Sequence, residues 1–257
     1  MTIRLLPEFA IAFMLVFARV GTMMMLMPAI AERSAPDRVR LSLAVLLTLI
    51  TLPIVRAGLP KTLDNLPPVV TLLITEALIG FTFGLAGRFV MSSLQTAGVL
   101  ISQQIGLSYT MIMDPTHGDR GQSAVMSSFF TMLGVGLIFA ANLHHVALMG
   151  IVDSYKSLAP GELPTSGDAV QLAITVANSA FSVGVQLSAP FLVFGLVFNV
   201  GLGVLSRMMP QLQVFFLAMP ATVLIGTIIL IFVLSLMMDG FLTHVAAVFR
   251  DLFPGLR

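Results

Sequence analysis

Apolar residues in this chain are grouped in long blocks rather than alternating, and the polar residues between them cluster in short links. Measured against the roughly 20 residues that cross a bilayer, the blocks predict membrane-length helices at 9–30, 41–55, 69–87, 123–142, 181–205 and 213–238. The second is short. The helix carrying the fifth block reaches back to about residue 169, so it is expected over 169–205. Residues 89–113 predict a further helix of mixed character, because Ser92, Ser93, Gln95, Thr96, Ser102, Gln103, Gln104 and Ser108 interrupt an otherwise apolar stretch. That is too much polarity for lipid exposure, so those groups need water or protein partners. At the carboxy terminus Phe241, Val245, Val248 and Leu252 recur at helical spacing, which predicts an amphipathic tail over 240–257, lying at the membrane or on a partner chain, with a frayed terminus as the alternative. The links are a charged one (AERSAPDRVR, 31–40), a proline-rich one (GLPKTLDNLPP, 58–68), a polar one (DSYKSLAPGELPTSGD, 153–168) and the unusual QIGLSYTMIMDPTHGDRGQ, 104–122. With no repeat or low-complexity tract, the chain reads as one membrane domain over 1–257, all-α and polytopic, its spans grouped as helical hairpins.

Composition supports the membrane reading. The chain is 57% hydrophobic and only 10% charged, against roughly 25% charged in soluble domains. A net charge of +1 without basic runs gives no patch for nucleic acid. Cysteine is absent, which excludes disulfides, thiolate metal sites and a cysteine nucleophile. Near the amino terminus, Ala29 and Ala31 imitate a signal cleavage site, but the preceding run is too long for a signal and is interrupted by Arg19, so it is expected to stay in place.

Positive residues should orient the spans, and they do not. With six spans, one side collects Arg4, Arg56, Lys61, Lys156, Arg250 and Arg257, and the other Arg33, Arg38, Arg40, Arg88, Arg120 and Arg207. Such a tie implies either that the spans are not simple crossings or that partner chains fix the placement.

Arg19 and Glu76 fall inside apolar segments, where ionised side chains are costly and face protein or a wet cavity. A buried pair between them is the simplest reading; lining a conduit is the alternative. The methionines of GTMMMLMP, 21–28, read as core packing, or as a deformable seal. Gly80 and Gly84, followed by Gly87, mark a face where another helix approaches closely. Chemistry-bearing motifs are thin. Ser108 follows Gly106 but precedes the bulky Tyr109, unlike an intramembrane serine nucleophile, and the adjacent His144 and His145 point about 100° apart with no acidic partner at ligand spacing. No Walker or dinucleotide glycine pattern is present. No catalytic residue, metal or cofactor is expected. Two classes remain from the residues: a small-solute secondary transporter, or a non-enzymatic subunit of a larger pore, which the polarity of 89–113 favours.

Several ordered features carry a family resemblance. They are Arg19, Gly21 and Pro28; Pro36, Arg38 and Arg40 opening an apolar helix; Gln104 and Gly106 with Asp114 and Pro115; Asn142 and His144; and Asn199, Gly201, Leu202 and Gly203 followed by Arg207, Pro210, Gln211, Leu212, Phe215 and Pro220. The chain resembles the FliR family of flagellar export-gate proteins, whose virulence-secretion counterpart is SctT, over about residues 19–240. Gln186 is more polar than that pattern leads one to expect.

The resemblance implies a subunit of the flagellar type III export gate in the bacterial inner membrane. It also implies a multi-subunit assembly with FliP and FliQ, contact with FlhB, proximity to FlhA, outward displacement of the gate from the membrane plane, and unfolded flagellar proteins as cargo. No cofactor is implied. The family's segment matching 106–122 plugs the closed channel, which makes Gly106, Leu107, Ser108, Tyr109, Met111, Met113, Asp114, Pro115 and Gly118 plug candidates. The residues suit that role: the glycines permit irregular backbone, Pro115 disfavours helix at Asp114, and the methionines pack reversibly. A simple connector would carry the same residues, so the residues alone leave both readings open.

Overall fold

The computed structural model describes residues 5–28, 36–58, 66–106, 123–161, 166–209 and 214–253. Among these residues seven α-helices follow in order: α1 Leu5–Leu26, α2 Asp37–Val55, α3 Leu66–Gln104, α4 Ser123–Ala140, α5 Leu143–Ser157, α6 Ser166–Met208 and α7 Val214–Leu252. Among the described residues there is no strand, and the chain is all-α. Five of the described helices are long and apolar enough to cross a membrane, or six spans if the bent pair α4 and α5 counts as one.

Local chemistry explains several boundaries. α1 stops at Leu26, shortly before Pro28. α2 starts after Pro36, with Asp37 in its first turn, where a negative charge favours the helix dipole, and Asp37 pairs with Arg40. α3 ends into Gly106, whose φ of 81° lies in the left-handed region that glycine enters without penalty. Between α4 and α5 the axis turns by 76°, and Asn142 occupies a left-handed conformation (φ 57°) at the break.

The helices differ from the sequence reading in three respects. Residues 69–87 and the described part of 89–113 form the single 39-residue α3, since nothing around Arg88 breaks a helix and the polar face beyond it is met by neighbouring helices. A helix, α5, occupies 143–157, part of which reads as polar link: Asp153, Ser154 and Tyr155 are buried rather than solvated. Residues 240–252 are no separate tail but continue α7.

By contacts the chain divides into two compact units. The first comprises residues 1–90, 138–178 and 245–257; the second comprises 91–137 and 179–244. In the first, α1 packs on α2, and α2 meets α5. Its core includes Leu15, Val16, Met23, Ile79 and Ile151. The end of α7 belongs to this core. Val245, Val248, Phe249, Leu252 and Phe253 are buried, the Phe253 ring stacks on Phe83 at 5.5 Å, and a Cβ added to Gly150 would lie 2.5 Å from that ring. Truncation after Gly240 therefore removes one wall of the core. Because loss of one buried Phe side chain alone costs about 3–5 kcal/mol, the truncated chain should be recovered from membranes far below the full-length level, with Phe253→Ala intermediate. Equal recovery of all three would contradict this packing.

The second unit is assembled through small residues. A Cβ on Gly98 would lie 2.6 Å from the Ser127 Cα, one on Gly184 2.9 Å from the Ser93 carbonyl oxygen, and one on Gly226 2.7 Å from Ile105. Such close approaches take the place of a hydrophobic driving force, which lipid does not supply between helices. Leu94, Ile101, Phe130, Phe191, Leu230 and Phe241 fill its core.

A buried charge cluster as candidate functional site

Gly80, Gly84 and Gly87 lie one above another on α3 and let it approach the α1 backbone. A Cβ on Gly80 would collide with Thr22 and the Arg19 carbonyl, one on Gly84 would lie 3.0 Å from the Met23 carbonyl oxygen, and one on Gly87 2.8 Å from Pro28. One turn before Gly80, this approach sets Glu76 beside the side chain of Arg19.

The two form a fork-to-fork ion pair. Arg19 Nε donates to Glu76 Oε2 at 2.6 Å and Nη2 donates to Oε1 at 3.1 Å, with Arg19 0% and Glu76 1% exposed. Arg19 Nη1 donates twice more, to the Ser154 and Leu158 carbonyl oxygens at 3.0 Å each. Four of the five guanidinium donors reach named acceptors. Ser154 and Leu158 lie at the carboxy-terminal end of α5, where the dipole is negative, so Arg19 caps that helix with a full positive charge; the Ser154 carbonyl oxygen also accepts the Leu158 N–H at 3.0 Å. The Tyr155 ring lies 4.0 Å beneath the guanidinium carbon in a cation–π contact. Glu76 in turn accepts the Gly161 N–H at 3.1 Å, holding a turn whose φ of 88° suits glycine.

One ion pair thus joins α1, α3, α5 and the turn after α5. Both charges are buried and satisfied, and neither is open to solvent. In structural terms the arrangement is a clamp. Ser154, Leu158 and Gly161 leave no signature in residue identity because they take part through a backbone carbonyl or amide, and Tyr155, which takes part through its ring, falls in a stretch that reads as a polar link. Buried positions at Ala147, Gly150, Ile151 and Ser154, spaced i, i+3, i+4 and i+7, are the one signal that marks α5 as a packed helix. Of the methionines in 21–28, Met23, Met24 and Met27 are buried, while Met25 is exposed.

Comparison with known proteins decides the family. The family of bacterial export proteins, family 1, matches residues 10–248. The chain is 42% identical over 224 residues to the flagellar biosynthetic protein FliR of Caulobacter vibrioides, across 86% of this chain and 87% of that protein. This chain belongs to the FliR family of bacterial export proteins. It is also similar to the FliR proteins of Escherichia coli (strain K12), at 33% identity over 205 residues (77% of this chain, 75% of that protein), and of Bacillus subtilis (strain 168), at 29% over 228 residues (87% and 86%).

The remaining residues of the FliR resemblance occupy separate elements. Asn142 is the left-handed residue at the α4–α5 break, and the His144 ring lies between those of Phe139 (4.9 Å) and His145 (4.1 Å), its Nδ1 buried without a partner. Asn199, Gly201, Gly203 and Arg207 are exposed near the end of α6, and a Cβ on either glycine would meet nothing within 4 Å. Phe215 lies in the first turn of α7 and Pro220 within that helix. Pro210 and Gln211 lie outside the described residues, as do Leu107, Ser108, Tyr109, Met111, Met113, Asp114, Pro115 and Gly118 of the plug candidates. Gly106 alone of those candidates is described, as the terminator of α3. Among the described residues no group of three or more His, Asp or Glu side chains is placed to hold a metal ion.

Proposed function

We propose that this chain is a non-enzymatic core subunit of the flagellar type III protein export gate, forming part of the channel through which unfolded flagellar proteins cross the inner membrane. In this reading it works with FliP and FliQ in a multi-subunit gate, contacts FlhB, lies near FlhA, sits displaced outward from the membrane plane, and closes the channel with residues 106–122. Partner machinery supplies the energy. Family membership over residues 10–248 and the FliR relatives support the export role and favour the flagellar system over a virulence one.

The observation that carries the plug is how the ends of 107–122 are held. In the second unit α3 and α4, which flank the segment, are locked backbone to backbone at Gly98 and Ser127, and Ser127 Oγ donates to the Gln95 carbonyl at 3.1 Å. Gly106 then turns the chain out of α3. A segment of polar groups, glycines and methionines is thereby tethered at both ends to rigid helices, which suits an element that blocks a lumen without carrying the scaffold. The assembly is tested by gentle purification of a tagged chain from its own cells. Co-recovery with FliP- and FliQ-like subunits is expected; a stable single chain that transports a small solute when reconstituted alone would overturn the reading.

A further inference from the structure

In the second unit the last turns of α3 are enclosed on three sides. α4 meets them at Gly98, α6 at Ser93, Thr96 and Gln104, and α7 at Ile105. Most of the polar side chains of this stretch are taken up by that packing: Ser93 and Ser102 are buried, and Thr96 and Gln104 lie against Gly184 and Gly195 of α6. Gln95 and Gln103 are not. They are exposed, with the exposed Val99 between them at four-residue spacing, on the fourth side of the helix and about 12 Å apart along it. Neither side-chain amide has a hydrogen-bond partner among the described residues.

At the depth of Gln103 the other exposed surfaces of the unit are apolar. Ser93 against Gly184 and Gln104 against Gly195 make α6 run parallel to this part of α3, and Ile105 against Gly226 marks the same level on α7. Around that level α6 exposes Val193, Leu196 and Val197, and α7 exposes Leu224, Ile225 and Ile228. Asn199 is the one hydrogen-bonding side chain of α6 between Pro190 and Ser206, and the exposed Thr227 of α7 donates to its own helix at the Val223 carbonyl oxygen, 2.8 Å away. Two chemistries at one depth mean two surroundings. Hydrocarbon suits the branched apolar side chains, whereas an unpaired amide there is costly.

α3 also stops at this depth. The Ile105 N–H donates to the Ile101 carbonyl at 2.9 Å and the Gly106 N–H to the Gln103 carbonyl at 3.3 Å, while α6 continues from Gly195 to Met208, about 20 Å at 1.5 Å per residue. A chain that leaves its helix beside the apolar surface of its neighbours needs protein or a water-filled cavity around it. Water serves both features together. It hydrates two amides on an open face and the freed carbonyls of a helix end, without the matched geometry that a partner helix would need at each.

We infer that the side of α3 carrying Gln95, Val99 and Gln103 is the wet wall of the second unit, lining an aqueous vestibule that reaches to the end of the helix, and that this vestibule belongs to the export conduit. The ligand class is an extended polypeptide. Each glutamine amide offers two donors and an acceptor that a passing backbone exchanges for water, and uncharged amides favour no one cargo sequence. The assignment to the conduit rests on the export reading; the wet wall does not.

The chain has no cysteine, so single-cysteine variants carry no background. Gln95→Cys, Gln103→Cys and, as the reference, Val200→Cys are made in the full chain and assayed in native membranes with its partners present, opened so that reagent reaches both faces. Val99→Cys, on the same side of α3, replaces a glutamine variant that lowers the amount of chain. A membrane-impermeant maleimide reacts with the thiolate, which hydrocarbon disfavours, so positions 95 and 103 should react at least about ten-fold faster than 200. After detergent denaturation all should react equally. A rate at 103, or at 99 in its place, as slow as at 200 would overturn the wet wall, because lipid or protein would then cover it. The conduit is tested in cells labelled with a bulky maleimide, where recovery of complex should hold while export of flagellar cargo is lost. Fast labelling with full export would put the water outside the conduit and overturn that assignment. Neither result bears on co-recovery with partner subunits, by which the export reading itself stands or falls.

Discussion

Replacing Glu76 with Ala should strip this chain from the membrane fraction. The change leaves the Arg19 guanidinium fully buried with its two carboxylate acceptors gone, and breaking a buried pair by removing one partner costs about 3–5 kcal/mol. That is a large part of the roughly 5–15 kcal/mol that holds a domain folded. The loss also spreads beyond the pair. Glu76 holds the Gly161 N–H, and Arg19 caps α5, so the turn after α5 loses its anchor with the same substitution. Arg19→Met should have a comparable effect, since it leaves the Glu76 carboxylate buried against an apolar neighbour. Joining Arg19→Met with Glu76→Leu should restore much of the recovery, because two apolar side chains of similar volume remove both desolvation penalties at once. Tyr155→Phe should be close to neutral: its ring holds the cation–π contact, and its hydroxyl has no partner to lose. Recovery of folded chain from membranes, read beside its elution profile after solubilisation, separates these outcomes. Both single variants at the original level would contradict the clamp.

That clamp was half legible in the sequence. Arg19 and Glu76 stand out because ionised residues inside apolar blocks demand partners, and Gly80, Gly84 and Gly87 announce a close helix contact without naming the helix. What the sequence hides is the third helix. Asp153, Ser154, Tyr155 and Lys156 suggest a solvated link, yet Lys156 alone reaches outward, with Asp153 paired to it at 2.6 Å and the others buried. Tertiary contacts set that burial, and local composition does not record them. The charge tie has a physical source as well. At 39 and 43 residues, α3 and α6 are about 58 and 65 Å long, twice the hydrocarbon thickness, so their ends do not mark the two faces of a bilayer as the ends of simple spans would. The buried end of α7 was legible as an amphipathic repeat; that its apolar face packs on Phe83 and Gly150 of the same chain was not.

Deleting a few residues between Leu107 and Gly118 should leave the complex assembled and make the membrane leak. Closure in this account depends on how the 106–122 segment fills the lumen, whereas assembly depends on α3, α4, α6 and α7, which pack through Gly98, Gly184, Gly195 and Gly226. Met111→Ala with Met113→Ala should leak less than the deletion, because truncation removes soft packing atoms and leaves the backbone obstruction in place. A mere connector reverses the pattern: shortening it strains the flanking helices, so assembly falls while the complexes that form stay tight. The decisive measurement is ion conductance or small-solute leakage per recovered complex, in membranes carrying the deletion variant beside the unaltered chain, with export of flagellar cargo scored separately. The account predicts normal recovery of complex with raised leakage; a tight membrane with intact complexes after the deletion would contradict it.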